Sequence, residues 1–163
     1  MLEIIDYNKC YADEVDKLDI EYWGKCESTN VSEDIKQNDI VKLALIDNKL
    51  VGLLHFKPIG NLLDCYHVLV DNNFQRQGIA SSLMSEALKE AENRKFKTLI
   101  AHAVEHDGKV NARKLLEKFG FIEVYSVNNY WDSLYPNEFC KQCGNNSCHC
   151  GVVVFMKNNV YRQ

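Results

Sequence analysis

No run of Lys and Arg in the 163 residues is dense enough to track a phosphate backbone, and the formal charge is −4. With a pI near 5.7, that balance argues against nucleic acid as the main partner, because phosphate contacts need clustered cations. Long apolar runs are missing too. The longest, Val152 to Met156, is far shorter than the roughly 20 residues that cross a bilayer. The opening Met1-Leu2-Glu3-Ile4-Ile5-Asp6 has acids where a signal peptide needs a basic flank and an apolar core. The chain therefore reads as cytoplasmic, without a membrane partner. It also lacks repeats, low-complexity tracts and any linker that would divide it. Hydrophobic residues at 46% and charged residues at 26% exclude disorder, collagen and coiled coil. What remains is one domain over residues 1–163, long enough to bury roughly 70% of the surface of its unfolded chain.

Hydrophobic spacing divides that domain into alternating strands and helices. Glu3 to Asp6 reads as a strand, and Tyr11, Val15, Leu18 and Tyr22 recur at helical spacing. Ser32 with Glu33-Asp34 predicts a second short helix, its serine oxygen capping the free N–H groups. Ile40 to Ile46 and Leu50 to Phe56 form a hairpin around Asp47-Asn48-Lys49. Leu62 to Val70 is the next strand. Gly78 to Asn93 follows as a helix with Ile79, Leu83, Met84, Ala87, Leu88 and Ala91 on one stripe. Thr98 to Val104 is apolar enough to be central in a sheet. Val110, Leu115 and Phe119 mark a short helix stopped by Gly120. Phe121 to Tyr130 and Gly151 to Lys157 are the last two strands. This order specifies a mixed α/β domain.

The stretch from Val68 through Asp71-Asn72-Asn73-Phe74 to Gln75-Arg76-Gln77-Gly78-Ile79-Ala80 carries the most chemistry. An apolar strand ends, a polar loop follows, and small residues stand where a long helix begins. The first turn of a helix offers unpaired N–H groups and the positive end of its dipole to an anion. Gly78 and Ala80 let the backbone approach a phosphate closely, and Arg76 adds a charge. The loop alone is equally an ordinary strand-to-helix turn. It is neither a Walker loop nor a dinucleotide fingerprint, which require more glycines.

Gln75-Arg76-Gln77-Gly78-Ile79-Ala80 resembles the Gln/Arg-x-x-Gly-x-Gly/Ala hallmark of the GNAT superfamily of N-acetyltransferases, placed after the fourth strand. The order of elements resembles that family over Glu3 to Lys157, the cysteine segment excepted, and Glu117-Lys118-Phe119-Gly120-Phe121 is similar to its usual helix-to-strand junction. The resemblance implies a mixed, mostly antiparallel sheet flanked by helices, with acetyl-CoA held between splayed fourth and fifth strands. It implies that the main chain of Leu69 and Val70 pairs with the pantetheine arm, the Val70 N–H polarising the thioester carbonyl. The pyrophosphate would lie on Gln75, Arg76, Gln77, Gly78, Ile79, Ala80 and Ser81. A carboxylate eleven residues before the first motif residue serves some relatives as base, and counting back from Gln75 reaches Asp64. By strand alternation Asp64, Tyr66, Val68 and Val70 would share one face; an exposed aspartate near a strand start is the plainer reading. His102 and Glu105 are the other candidate bases, although a histidine in a strand is also a common core residue.

Two positions depart from the family pattern. The tyrosine that protonates the leaving thiolate falls on Leu116, so Tyr66, Tyr130 or water would have to supply that proton. The customary CoA-contacting asparagine falls on Lys109, with Asn111 two places later. The acceptor pocket would lie mostly in Asp19 to Lys36 and near the last hairpin, with Glu21, Tyr22, Trp23 and Glu27 favouring a cationic amine. Partners are thus acetyl-CoA and an amine acceptor, with a homodimer left open. A GNAT-fold binding module, non-catalytic or weakly catalytic, is the competing class.

Seven cysteines are many for a cytoplasmic chain. Cys10, Cys26 and Cys65 are scattered, whereas Cys140, Cys143, Cys148 and Cys150 crowd one segment between the last strands, residues 136–151. Cys140-Lys141-Gln142-Cys143-Gly144 is a knuckle: two thiolates three positions apart grip one ion above a tight glycine turn. Four soft ligands suit a tetrahedral structural Zn²⁺. The second half is Cys-x-Cys, so His149 could displace one thiolate. Free thiols, or disulfides that a reducing compartment disfavours, are the alternatives.

Overall fold

The computed structural model describes residues 1–24 and 30–158; Cys26 and Glu27 lie outside the described residues. Apolar alternation in Ile40–Ile46 (β2) and Lys49–Ile59 (β3) forms the expected hairpin. Its turn is Asp47 and Asn48, with φ of +50° and +64°. Two successive positive φ values give a turn whose twist matches that of the flanking strands.

β1 (Leu2–Asp6) extends the sheet beside β2, and β4 (Leu62–Val70) pairs with β3, all antiparallel. β5 (Thr98–His106) joins β4 in the one parallel pairing among the described strands. β8 (Gly151–Asn158) and β7 (Ile122–Val127) complete the order β1-β2-β3-β4-β5-β8-β7. A two-residue β6 (Lys109–Val110) folds back on the end of β5. The sheet is mixed and mostly antiparallel, and β5 is interior, as the sequence indicates.

Helices cover both faces. α3 (Ile79–Asn93) and α4 (Arg113–Lys118) lie over a core that includes Phe56, Leu63, Met84, Leu99, Phe121 and Phe155. α1 (Ala12–Trp23) and α2 (Val31–Asp34) lie over Leu43, Leu53 and Leu69 on the other face. A Cβ at Gly52 would come within 3.1 Å of Leu83 and 3.2 Å of Ile79. Glycine there lets the first turn of α3 settle against the sheet, which fixes the helix start beside the end of β4. Among the described residues no helix is long and apolar enough to cross a membrane.

Several local expectations are corrected. Ser32 does not cap α2: its N–H and hydroxyl both donate to Asp16, at 2.8 and 2.6 Å, tying α2 to α1. Val110 belongs to β6 rather than to the short helix, whose end is nevertheless set by Gly120 at φ +81°. β7 stops at Val127. Asn129 adopts φ +51°, and Tyr130 opens a further helix, α5 (Tyr130–Leu134), where a continuing strand was expected.

Candidate functional site

β4 and β5 pair only from Leu62↔Thr98 to Cys65↔Ala101, and then separate. Past that point β4 stays bonded to β3, and β5 to β8. A cleft of about 160 Å³ opens between them, lined by Tyr66, His67 and Val68 from β4 and by Ala101 to Val104 from β5. Tyr22 and Trp23 from α1, Leu116 from α4, and His106, Lys109, Asn111 and Gln142 also line it. The Asp71 N–H donates to the Val51 carbonyl at 2.9 Å. Alternation along an antiparallel ladder then turns the Leu69 main chain to Leu53 and leaves that of Val70 on the open side. The Val70 carbonyl accepts from Gln75 Nε2 at 3.2 Å, so its N–H is the group still available.

The turn into α3 has the free N–H groups and open backbone that suit an anion. Arg76 takes φ +62° and Gly78 φ +83°, and a Cβ on Gly78 would meet nothing within 4 Å. The first bond of the helix runs from the Ser82 N–H to the Gly78 carbonyl at 3.0 Å. The N–H groups of Ile79, Ala80 and Ser81 therefore point ahead of the helix without an intrahelical partner. The Gln75 side chain is spent locally on Val70 and Asn72, at 3.2 and 2.8 Å. The exposed Arg76 guanidinium meets no carboxylate among the described residues. A second cation, unforeseen from the sequence, stands here: Lys118 Nζ donates to Ser81 Oγ at 3.0 Å. Only the fold brings the end of α4 to the start of α3, so no spacing signal could have found it.

The expected shared face of Asp64, Tyr66, Val68 and Val70 does not exist. His55 pairs with His67 and Phe56 with Cys65, so Tyr66 is an extra residue in a bulge. Beyond it the alternation slips by one. Cys65, Val68 and Val70 pack toward α3, while Leu69 faces α1. Asp64 is 9% exposed and does not line the cleft. It stands behind His102, its Oδ1 3.2 Å from His102 Nδ1. That hydrogen bond raises the His102 pKa above the ordinary imidazole range, against partial burial. His102 lines the cleft. Glu105 does not: its carboxylate caps the Asp107–Gly108 turn by accepting from the Gly108 N–H. Tyr66 is 47% exposed in the cleft, with Lys57 Nζ 3.6 Å from its ring centre. Tyr130 packs edge-on to Trp131 and is not a lining residue. Leu116 is 2% exposed, part of the core as well as of the cleft wall.

A buried polar cluster under the cleft was missed. His67 Nε2 lies 3.6 Å from Asp19 Oδ1 on α1, and its ring stacks on His55, whose Nε2 is 2.7 Å from Asp39. Burial pushes His67 down to about 3 and, with the Asp16 charge adding, pushes Asp19 up to about 6. The bulge at Tyr66 turns His67 inward, and nothing in the sequence signals a bulge.

The four clustered cysteines do converge. Their sulfurs all lie within 4.8 Å of one another. Cys150 Sγ is 3.5 Å from Cys143 Sγ and 3.9 Å from Cys140 Sγ. A tetrahedral ion with bonds of about 2.3 Å to sulfur needs edges of roughly 3.8 Å, so this donor set fits Zn²⁺. Burial raises Cys148 to about 11 and raises Cys150 further, whereas at Cys140 burial is outweighed by hydrogen bonds, the Cys143 N–H foremost, that lower it. The knuckle also touches the cleft: Gln142 lines it, and Lys141 Nζ donates to the Glu21 carbonyl at the end of α1. Glu21 is exposed, and no carboxylate lines the cleft among the described residues.

Comparison with known proteins agrees with this geometry. A family model described as acetyltransferase (GNAT) family matches residues 5–121. The ribosomal-protein-S18-alanine N-acetyltransferase of Escherichia coli superposes with a TM-score of 0.76 at 16% identity, covering 99% of this chain and 100% of that one. A GNAT family acetyltransferase of Elizabethkingia anophelis, solved with acetyl-CoA bound, gives 0.74 at 18%, over 97% and 98%. The aminoglycoside 6'-N-acetyltransferase of Enterococcus faecium gives 0.76 at 15%, over 99% of each chain. No curated protein matches the sequence.

Proposed function

The chain belongs to the GNAT acetyltransferase family, and from that premise we propose that it moves an acetyl group directly from acetyl-CoA to an amine of a small molecule or peptide. The observation that carries this reading is the parting of β4 and β5 beside a cradle of free helix N–H groups, with His102 on the wall and Asp64 behind it. The donor supplies an acyl group already activated as a thioester. The Ile79, Ala80 and Ser81 N–H groups, Arg76 and Lys118 hold its phosphates, Asn111 supports the arm, and the Val70 N–H polarises the reacting carbonyl.

The acceptor arrives protonated, and His102 takes that proton at Nε2 while Asp64 fixes the ring through Nδ1. As the nitrogen–carbon bond forms and the carbon–sulfur bond breaks, the leaving thiolate takes a proton from Tyr66. The amide nitrogen's released proton restores the phenol. Tyr66 is favoured over Tyr130 because it alone of the two lines the cleft. Glu105 has no part in this scheme, being tied to its turn.

Cys140, Cys143, Cys148 and Cys150 would hold a structural Zn²⁺, available to them as thiolates in a reducing cytoplasm. The ion would order a polar loop that buries too little apolar surface to order itself. Through Lys141 and Gln142 that loop forms one wall of the acceptor cleft. A panel of polyamines, amino acids and peptide N-termini screened for CoA release tests the reading. Steady turnover of any of them supports it. Tight acetyl-CoA binding with no turnover would favour a binding module instead, the class that Leu116 in place of a tyrosine acid suggests.

A further inference from the structure

Six donor side chains meet at the end of β5, two more than one tetrahedral zinc uses. We propose a second, exchangeable transition-metal site formed by His106 Nδ1, Cys143 Sγ and His149 Nε2, with Cys143 shared between two ions. It rests on the thiolate loop taking up its first ion.

Three observations carry it. The three atoms lie within 4.8 Å of one another, with His106 Nδ1 3.9 Å and His149 Nε2 4.0 Å from Cys143 Sγ. Nitrogen and sulfur on one ion stand about that far apart. Next, Asp107 stands behind the His106 ring, its Oδ2 3.4 Å from His106 Nε2, and beside the His149 ligand atom, its Oδ1 3.2 Å from His149 Nε2. A carboxylate on His106 Nε2 fixes the N–H there and leaves the Nδ1 lone pair facing the sulfurs, the usual arrangement of a metal-bound histidine. At His149 the same nitrogen faces a carboxylate and a sulfur. An N–H on that nitrogen donates to the carboxylate, and a bound ion takes the place of that proton. Finally, four thiolates on one Zn²⁺ leave two negative charges, and a thiolate sulfur keeps lone pairs able to bridge to a second ion.

The chemistry of the set indicates its occupant. Two imidazoles and a thiolate suit Zn²⁺, Co²⁺ or Ni²⁺ rather than Mg²⁺ or Ca²⁺. Three protein ligands leave a coordination position open. The His149 side chain is 53% exposed and that of Asp107 68%, so the ion exchanges with solvent. His106 belongs to the cleft wall, which puts the site on the rim of the acceptor cleft.

Chelator-stripped, reduced full-length protein titrated with Zn²⁺ against a chromogenic chelator tests the proposal. Two equivalents are expected, the second weaker. His149→Ala and His106→Ala should each saturate at one equivalent whose affinity matches the first step of the wild type, which also shows that the variants fold. Co²⁺ in the second step should give bands of a nitrogen-rich tetrahedral ion that both variants lose. A wild type saturating at one equivalent, or a His149→Ala protein retaining two, overturns the second site and leaves the first standing. No bound zinc at all overturns both.

Discussion

Asp64 lies within the β4–β5 ladder and His102 one residue past its end, and their Oδ1 and Nδ1 atoms meet at 3.2 Å. The cleft thus has an imidazole on its surface and a buried carboxylate behind it. Because Asp64 raises the His102 pKa, the neutral ring needed as a base accumulates only above the ordinary imidazole range. The kcat/KM profile should rise with pH through that ionisation. Asp64→Asn should move the rising limb to lower pH and cut the plateau by about 10- to 100-fold, with acetyl-CoA affinity unchanged. A limb that stays in place assigns the base elsewhere.

The cradle makes a separate prediction. Arg76→Glu with Gly78→Glu puts two negative charges before the α3 N-terminus and a side chain where φ is +83°. Acetyl-CoA affinity measured by calorimetry should fall at least tenfold, which corresponds to about 1.4 kcal/mol. Lys118→Ala removes a single cation and should weaken binding by less than the double variant. Equal affinity in wild type and double variant would show that the anion sits elsewhere.

Cys143→Ser removes a sulfur common to both proposed ions. The loop should loosen, the acceptor KM should rise several-fold and acetyl-CoA affinity should hold, because the cradle is built from the β4–α3 turn and Lys118, whose side-chain hydrogen bonds involve no knuckle residue. Steady-state kinetics in both substrates separate the two effects.

The buried pair under the cleft predicts a change in acid stability. Between about pH 4 and 6 the folded pair carries one proton on Asp19, whose pKa is raised to about 6, and none on His67, whose pKa is lowered to about 3. The unfolded chain also carries one, on His67 rather than on Asp19. Proton counts match, so the pair gives no pH slope to stability there. Asp19→Asn leaves a buried neutral His67 against an unfolded histidine that protonates below about pH 6.5. Stability of that variant should then fall with acid by up to about 1.4 kcal/mol per pH unit more than the wild type. Urea unfolding at pH 7 and pH 5 measures the difference.

The order of elements, the hairpin, the motif turn and the cysteine knuckle were legible in the sequence because each is a local pattern: alternation, helical spacing, a small-residue turn, paired thiols. What failed was non-local. The extra residue at Tyr66 changes which side chains of β4 share a face, and alternation cannot register an inserted residue. Ser32 suits a cap by type, yet Asp16 on a neighbouring helix takes both its donors. Lys118 reaches Ser81, and His106 reaches the sulfurs of Cys143 and Cys150, across gaps that only the folded sheet closes.

The short β4–β5 seam has a mechanical consequence. Four residue pairs, Leu62 to Cys65 with Thr98 to Ala101, are the ladder that joins a four-stranded half to the half built from β5, β8 and β7. The two halves behave as pages bound at one end: small rotations about that binding move the free ends farthest, where His106 and the knuckle face Tyr22 and Trp23. Ligand entry therefore needs no loop to lift, only a wider angle. Amide hydrogens of Val68 and Val70 should exchange with solvent while the pages stand open, and slow when a ligand spans the gap.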